Sequence, residues 1–450
     1  MPSMIQNQQK VVNLLLKRWG WMLVPLMQAA AGTCGGKAGA LGALLRAGLP
    51  IPDGFVVPYA AYLAAVRDLD LGRTGGGPAA ARRAIEGRPL HATLVDELER
   101  ALAALGDPPV AVRSSAANED TAQESAAGRH ESFLAVHGAG AVADAVRACW
   151  ASLFSERAIG LQERPHDGAT TAGLGDGSYS GPAMAVLVQR LVDAEVSGVM
   201  FTPANPYEPT TIEASWGLGP SVVGGTVTPD AYRVAGDGSV TSTIADKPTR
   251  LDRHGTRLAV REVPAGDRNR PTLDGAAVTG LAGLGEEIAA RLGGAQDIEW
   301  AIADGRTWIL QARPVTAALP PAASPATTPD ALAAAPGVLA ATPGVLAGTP
   351  GSHGTVTGVT RIVRGPGDFA RVRPGDILVC RFTDPAWTPL LRIAGGVVTE
   401  VGGALSHAAI VAREQAIPAV LGVPDATGRL HDGALITIDG TAGTVTAATA

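Results

Sequence analysis

The sequence predicts a multidomain chain of mixed α/β and α+β type, a large body followed by a small, separate α/β domain. Three observations predict it. At 450 residues the chain exceeds what one hydrophobic core usually serves. Short β-rich apolar runs alternate with helical patterns through most of its length. Residues 317–349 are dominated by Ala, Pro, Thr and Gly, with the near-repeat APGVLA, TPGVLAG, TPG, which reads as a linker.

Taken in order, residues 1–21 form a leading extension. Lys17 and Arg18 interrupt its apolar runs, no stretch reaches the ~20 residues a membrane helix needs, and the signal-peptide pattern is poor. The body, drawn at 22–316, carries β-rich runs at 110–113, 185–189, 198–201, 211–214 and 308–311. Helical patterns lie near 37–47, 92–105, 139–159 and 276–292. The linker proper is drawn at 317–345; about 30 Pro-spaced residues at ~3.1 Å each reach at most roughly 90 Å. From 346 to 450, strands near 359–363, 376–380, 395–399 and 434–438 surround a helix expected to start near Ala404.

Apolar residues make up 46% and aromatic residues only 4%, so the cores rest on Ala, Val, Leu and Ile. A net charge of −6 gives no electrostatic reason to expect nucleic acid or an anionic membrane as partner. Cys34, Cys149 and Cys380 are odd in number and lack CxxC spacing. They predict neither zinc nor a disulfide framework, and a reducing, cytoplasmic setting fits them.

Three segments of the body carry candidate chemistry. GGKAGALGALLRAGLP at 35–50 is a glycine turn, a lysine and an amphipathic helix. Gly35 and Gly36 would let N–H groups approach a phosphate, with Lys37 as a point charge; a glycine N-cap with a solvated lysine has the same sequence. VAVRSSAANEDTAQESAAGRHESFLAV at 110–136 delivers Arg113 from a strand into a polar loop, suited to phosphate or to a surface ion pair. QDIEWAIADGRTWILQARPVT at 296–316 reads as a hairpin turning at Asp304-Gly305, with Asp297 and Glu299 on one face and Gln311 and Arg313 on the return strand. Glu299 and Gln311 offer oxygen to Mg²⁺ and Arg313 meets phosphate, unless the hairpin is only structural.

With GVMFTPANP at 198–206 and IEASWGLGPSVVGGTVTPDAYRV at 212–234, these segments resemble, in order and spacing, the nucleotide domain of the phosphoenolpyruvate synthase, pyruvate phosphate dikinase and rifamycin phosphotransferase family, a version of the ATP-grasp fold. The resemblance implies ATP contacts at Lys37, Arg113, Gly128, Ser132, Gln189, Glu299, Gln311 and Arg313, with Glu299 and Gln311 on the Mg²⁺ side. Ser132 keeps the hydroxyl where relatives often carry threonine. Pro220 replaces a glutamate that many relatives have, which leaves that carboxylate's role unfilled.

Seven of the eight histidines stand in segments without a second chemical signal. His407 instead follows a strand and a double glycine in TEVGGALSHAAIVAREQAIPAVLGV at 399–423. There the first turn of a helix would favour a phosphoryl group on a neutral imidazole. This stretch resembles the phosphohistidine swivelling domain of the same family. That resemblance implies His407 as phosphocarrier, with Thr399, Gly402, Gly403 and Ser406 shaping the phosphate pocket. It also implies the dikinase reaction, in which ATP yields AMP, phosphate and a phosphorylated acceptor. With the chain ending at Ala450, neither the pyruvate-binding barrel nor the rifamycin-binding domain is expected. The acceptor is then a small metabolite or a group held by a separate protein. Two other classes share the motifs: a phosphorelay carrier, and an ATP-grasp ligase that activates a carboxylate or hydroxyl for condensation.

Overall fold

A computed structural model describes residues 23–69, 77–116, 132–155, 183–205, 207–319 and 345–448. The expected extension at 1–21, Gly128 and most of the linker lie outside the described residues. The chain gathers into two compact units. The first holds Met1–Val192, Arg253–Leu258 and Trp308–Arg313, and the second holds Asp193–Asp252, Ala259–Thr307 and Pro314–Ala450. The body drawn at 22–316 thus contributes to both.

The first unit is built on an antiparallel sheet of β1 (Val24–Pro25), β2 (Gly54–Val57), β3 (Val110–Ala116), β4 (Ser132–Val136) and β5 (Met184–Arg190). Their order is β1-β2-β5-β3-β4. The central strand β5 is buried along its length except Arg190, which is why its sequence reads as a continuous apolar run. Helix α1 (Ala31–Arg46) packs on β3 and β5. It is broken at Gly35, whose φ of +84° suits glycine and whose missing side chain leaves room for the Ser115 backbone; a Cβ there would overlap the Ser115 carbonyl oxygen. The expected amphipathic helix is therefore a kinked one, starting earlier and buried over much of its circumference.

Around it stand α2 (Tyr59–Ala65), α3 (Gly77–Glu86), α4 (Ala92–Ala104) and α5 (Ala139–Ala151). Leu94, Leu98 and Leu102 form the buried stripe of α4, four residues apart. His91 caps that helix, its Nδ1 accepting the Thr93 N–H at 3.3 Å. Trp150 of α5 meets Tyr62 of α2 edge to face, with centroids 5.8 Å apart.

In the second unit, β6 (Val196–Phe201), β7 (Thr210–Trp216), β8 (Asp230–Val234), β9 (Val240–Thr243) and β12 (Gln296–Ala303) form an antiparallel sheet. The ribbon β10 (Thr249–His254) with β11 (Arg257–Glu262) interrupts their sequence. Helix α6 (Gly275–Leu292) covers one face. It is capped by Asp274, whose carboxylate accepts the Ala277 N–H at 2.8 Å. After β12 the chain turns at Asp304 (φ +51°) and Gly305 (φ +67°) into β13 (Arg306–Pro314), the hairpin turn expected from that dipeptide.

The C-terminal part of this unit is an eight-stranded sheet of β14 (Val345–Ala347), β15 (Thr349–Ser352), β16 (Thr355–Ile362), β17 (Ile377–Cys380), β18 (Gly396–Thr399), β19 (Ala419–Leu421), β20 (Leu435–Asp439) and β21 (Thr444–Ala447). Its order is β14-β21-β20-β16-β17-β18-β19-β15, with β16 to β19 parallel. The two faces carry separate cores, one with Leu378, Val397 and Leu421, the other with Ile377, Val398 and Val420. Alternate residues of one strand feed opposite cores, so the apolar runs do not alternate with polar residues. The low-complexity composition runs on into β14 and β15. Glycine is used there because Leu421 and Val423 press on Gly348, so composition alone overstates the linker. Helix α7 (His407–Glu414) follows β18 and begins at His407, three residues later than expected. The intervening loop is held in a turn by the Ser406 N–H on the Gly403 carbonyl and by positive φ at Gly402.

Candidate functional site

The first unit brings four of the expected residues to one face of its sheet. Arg113 on β3 stands in register with Ser132 on β4 and with Leu187 on β5, while Ala111 faces Gln189. Residues 111, 113 and 115 share a face, and so do their cross-strand partners. The turn of α1 lands on that face, because the Ala38 N–H donates to Ser115 Oγ at 3.1 Å. Lys37 is carried there with it. Gln189 is buried, its Nε2 donating to the Pro52 carbonyl at 3.0 Å. Arg113 Nη1 donates to the Leu310 carbonyl at 3.2 Å, which sets it beside the β13 segment that bears Gln311 and Arg313, both buried. A cleft of about 170 Å³ lined by Val66, Ile85, Leu94 and Trp150 lies elsewhere in this unit and contains none of these residues.

The second unit holds Glu299 and the His407 loop. Glu299 pairs across β12–β6 with Val199, which pairs across β6–β7 with Glu213. These three form one row on one face, and two strand spacings of ~4.8 Å put the Cα atoms of Glu299 and Glu213 ~10 Å apart. Asp297, Phe201 and Thr211 form the adjacent row. That face is covered by the loop before α7 and by α7 itself: Leu405 and Ile410 pack with Val199, Phe201, Val222 and Val227.

Two glycine turns meet at the contact. A Cβ on Gly225 would come within 3.0 Å of Ser406 Cβ, and one on Gly403 would overlap the Glu213 carboxylate. Glu213 accepts the Leu405 N–H at 3.1 Å. Burial pushes its carboxyl up to about 7, opposed by the Leu405 and Ala404 N–H groups and by the charges of Arg413 and Arg233. Arg413 of α7 donates through Nη1 to the Gly351 and Ala404 carbonyls at 2.8 and 2.7 Å and lies 5.9 Å from the Phe201 ring centre. Burial lowers its pKa to about 10.

His407 is 3% exposed at the first position of α7, beyond the C-terminal end of a parallel strand. Ligand-handling residues of open α/β sheets usually stand at such strand ends. Of its expected pocket partners, Thr399 is buried, its hydroxyl donating to the Val401 carbonyl at 2.7 Å. Ser406 is buried with no hydrogen-bond partner for Oγ among the described residues, and Gly402 and Gly403 form the turn. The other described histidines, at 91, 137, 254, 353 and 431, are exposed.

Sequence reasoning missed Glu213, Arg413 and Gly225. A signal for Glu213 was present: a carboxylate at an inward position of the otherwise apolar and small-residue strand Thr210–Trp216.

Two family descriptions match this chain. Residues 31–332 match the family described as "Pyruvate phosphate dikinase, AMP/ATP-binding domain", and residues 372–443 match "PEP-utilising enzyme, mobile domain". A "Probable phosphoenolpyruvate synthase" of Methanothermobacter thermautotrophicus is 36% identical over 92% of this chain and 61% of its own length. The "Phosphoenolpyruvate synthase" of Aeropyrum pernix is 34% identical over 91% of this chain and 56% of its own length. That of Escherichia coli is 34% identical over 73% of this chain and 41% of its own length. The chain thus spans about three fifths or less of these relatives. With an ATP-grasp-like body and a mobile histidine domain, it belongs to the pyruvate phosphate dikinase AMP/ATP-binding family.

Proposed function

We propose that the chain is an ATP-dependent phosphotransferase of the dikinase type, in which His407 takes a phosphoryl group from ATP and passes it to an acceptor. The observation that carries this reading is the placement of His407 at the head of α7, in a loop seated on the sheet face that also bears Glu299. Lys37, Arg113 and Arg313 are the cations that would bind phosphate, with Ser132, Gln189 and Gln311 as polar neighbours, and the family resemblance adds Gly128. A ring nitrogen of His407 attacks the β-phosphorus; an N–P bond forms as the α–β P–O bond breaks and AMP leaves, and water then cleaves the terminal phosphoryl group away as phosphate. The phosphoryl group then moves to an acceptor oxygen, so that ATP, water and acceptor become AMP, phosphate and phosphorylated acceptor.

Glu299 fits Mg²⁺: it offers hard carboxylate oxygen from a rigid strand, and this ion typically uses one or two carboxylates plus substrate phosphates. When bound, Mg²⁺ would neutralise charge on the phosphates. Gln311 is the second candidate oxygen donor.

The acceptor is a small molecule, or a group held by another protein. No helix among the described residues is long and apolar enough to cross a membrane. The test is incubation of the chain with Mg²⁺ and ATP labelled at the β-phosphorus. Acid-labile, base-stable label on the wild type and none on His407→Ala is the expected result, with ATP affinity unchanged. Equal labelling of the two would remove His407 from the reaction. Label in a condensed product without phosphohistidine would instead identify a ligase.

A further inference from the structure

We propose that Glu213 is a positioning residue for the phosphocarrier: from strand β7 it holds the Gly402–Leu405 loop on the sheet, and thereby sets His407 for phosphoryl uptake. The inference rests on the function proposed above. The hydrogen bond to the Leu405 N–H joins residues 192 positions apart, and it forms in a buried place where water cannot substitute. Gly403 lies flat on the carboxylate, with no room for a side chain. The contact is therefore made to loop backbone, two residues before His407, and not to an adaptable side chain.

Geometry also links this contact to the nucleotide side. Glu213 and Glu299 share a row of the sheet with only Val199 between them, so a loop clamped at Glu213 has a fixed register relative to Glu299. Arg413 strengthens the hold from within the histidine domain. It ties the loop's Ala404 carbonyl to α7 and lies near enough to Glu213 for their charges to interact. The Val199, Phe201, Leu405 and Ile410 packing around it supplies adhesion without direction. Direction comes from the hydrogen bond that ties the Leu405 N–H to Glu213 on strand β7.

The test compares the full-length wild type with Glu213→Ala and Glu213→Gln by amide hydrogen exchange and by the rate of phosphohistidine formation from labelled ATP. In Glu213→Ala the Leu405 amide should exchange about tenfold or more faster, as loss of a buried hydrogen-bond partner implies. Amides of β6 and β8 should keep their protection. Phosphohistidine formation should slow by a similar factor while ATP affinity stays within about twofold. Glu213→Gln, which still offers a carbonyl oxygen to Leu405, should restore most of the protection. Unchanged exchange at Leu405 in Glu213→Ala would overturn the proposal, and so would a general loss of protection across β6 and β8. Failure of the wild type to form phosphohistidine would sink the proposed function instead. The exchange comparison would then still decide whether Glu213 holds the loop.

Discussion

Lys247 has no solvent exposure, and its ammonium donates to Asp230 Oδ1 at 2.6 Å and to the Ala245 carbonyl at 2.8 Å. Asp230 Oδ2 accepts from the Thr272 N–H and hydroxyl, both at 2.8 Å. This network ties Ala245, Lys247 and Thr272 to strand β8. Lys247→Met should cost about 3–5 kcal/mol, because it leaves a buried carboxylate without its counter-charge. Urea unfolding measures it, and a loss below about 1 kcal/mol would mean that water reaches Asp230. At Gly35 the constraint is steric. Gly35→Ala adds a Cβ against the Ser115 backbone in a left-handed conformation, so a loss of ~2 kcal/mol or more is expected in the same assay. For chemistry, Lys37→Ala, Arg113→Ala and Arg313→Ala should each slow phosphohistidine formation ~10²–10³-fold.

At the level of elements, the contact of the β6–β7 face with α7 and its preceding loop should be sensitive to pH. Burial raises the Glu213 carboxyl from 4.5 to about 7 while the loop is docked. Undocking would return it to water and toward its ordinary value. The docked form therefore binds a proton more tightly, so docking is strongest at low pH and weakens as pH rises through the window from 4.5 to about 7. Arg413 and Arg233 favour the charged form of Glu213, Asp297 and Glu414 act on Arg413, and the imidazole of His407 stands two residues from Leu405. Leu405 amide protection, corrected for the intrinsic pH dependence of exchange, should fall across this window and level off above it. Glu213→Gln should remove that slope and thereby separate Glu213 from His407. A slope that survives in Glu213→Gln would assign the titration to another group.

For the whole molecule, the distribution of cores decides what can stand alone. Both cores of the eight-stranded sheet draw only on residues between Leu346 and Val445. A chain of residues 345–450 should therefore fold cooperatively by itself, at ~1.5–3 kcal/mol for each large apolar side chain buried. Its Leu405 amide should exchange faster than in the full chain, since Glu213 is gone. A non-cooperative melt would show that the shared cluster around Phe201 and Ile410 is needed. The composition of residues 320–344 leads to a second expectation. Scrambling them should leave transfer within a few-fold, whereas deleting about 20 should reduce it with ATP binding unchanged, because reach depends on length.

By itself the sequence determined the local pieces. Asp304-Gly305 could only be a tight turn of positive φ, Leu94, Leu98 and Leu102 could only share a helix face, and the Gly-Gly-Ala-Leu-Ser-His stretch marked His407 by its neighbours. Strand alternation already put Asp297 and Glu299 on one face, and the structure keeps both on strand β12. What only the tertiary structure decided is which faces meet. Gly198 begins a β-rich run in the sequence, yet only the fold shows why glycine is needed there: Trp300 and the Glu213 carbonyl leave no space for a Cβ. Glu213 stands out in the sequence only as a carboxylate in an apolar strand, and the structure alone shows it 2% exposed beneath a loop 192 residues further on. Periodicity records how a backbone alternates but not what covers it, and a covering segment so distant in the chain leaves no local pattern that identifies it.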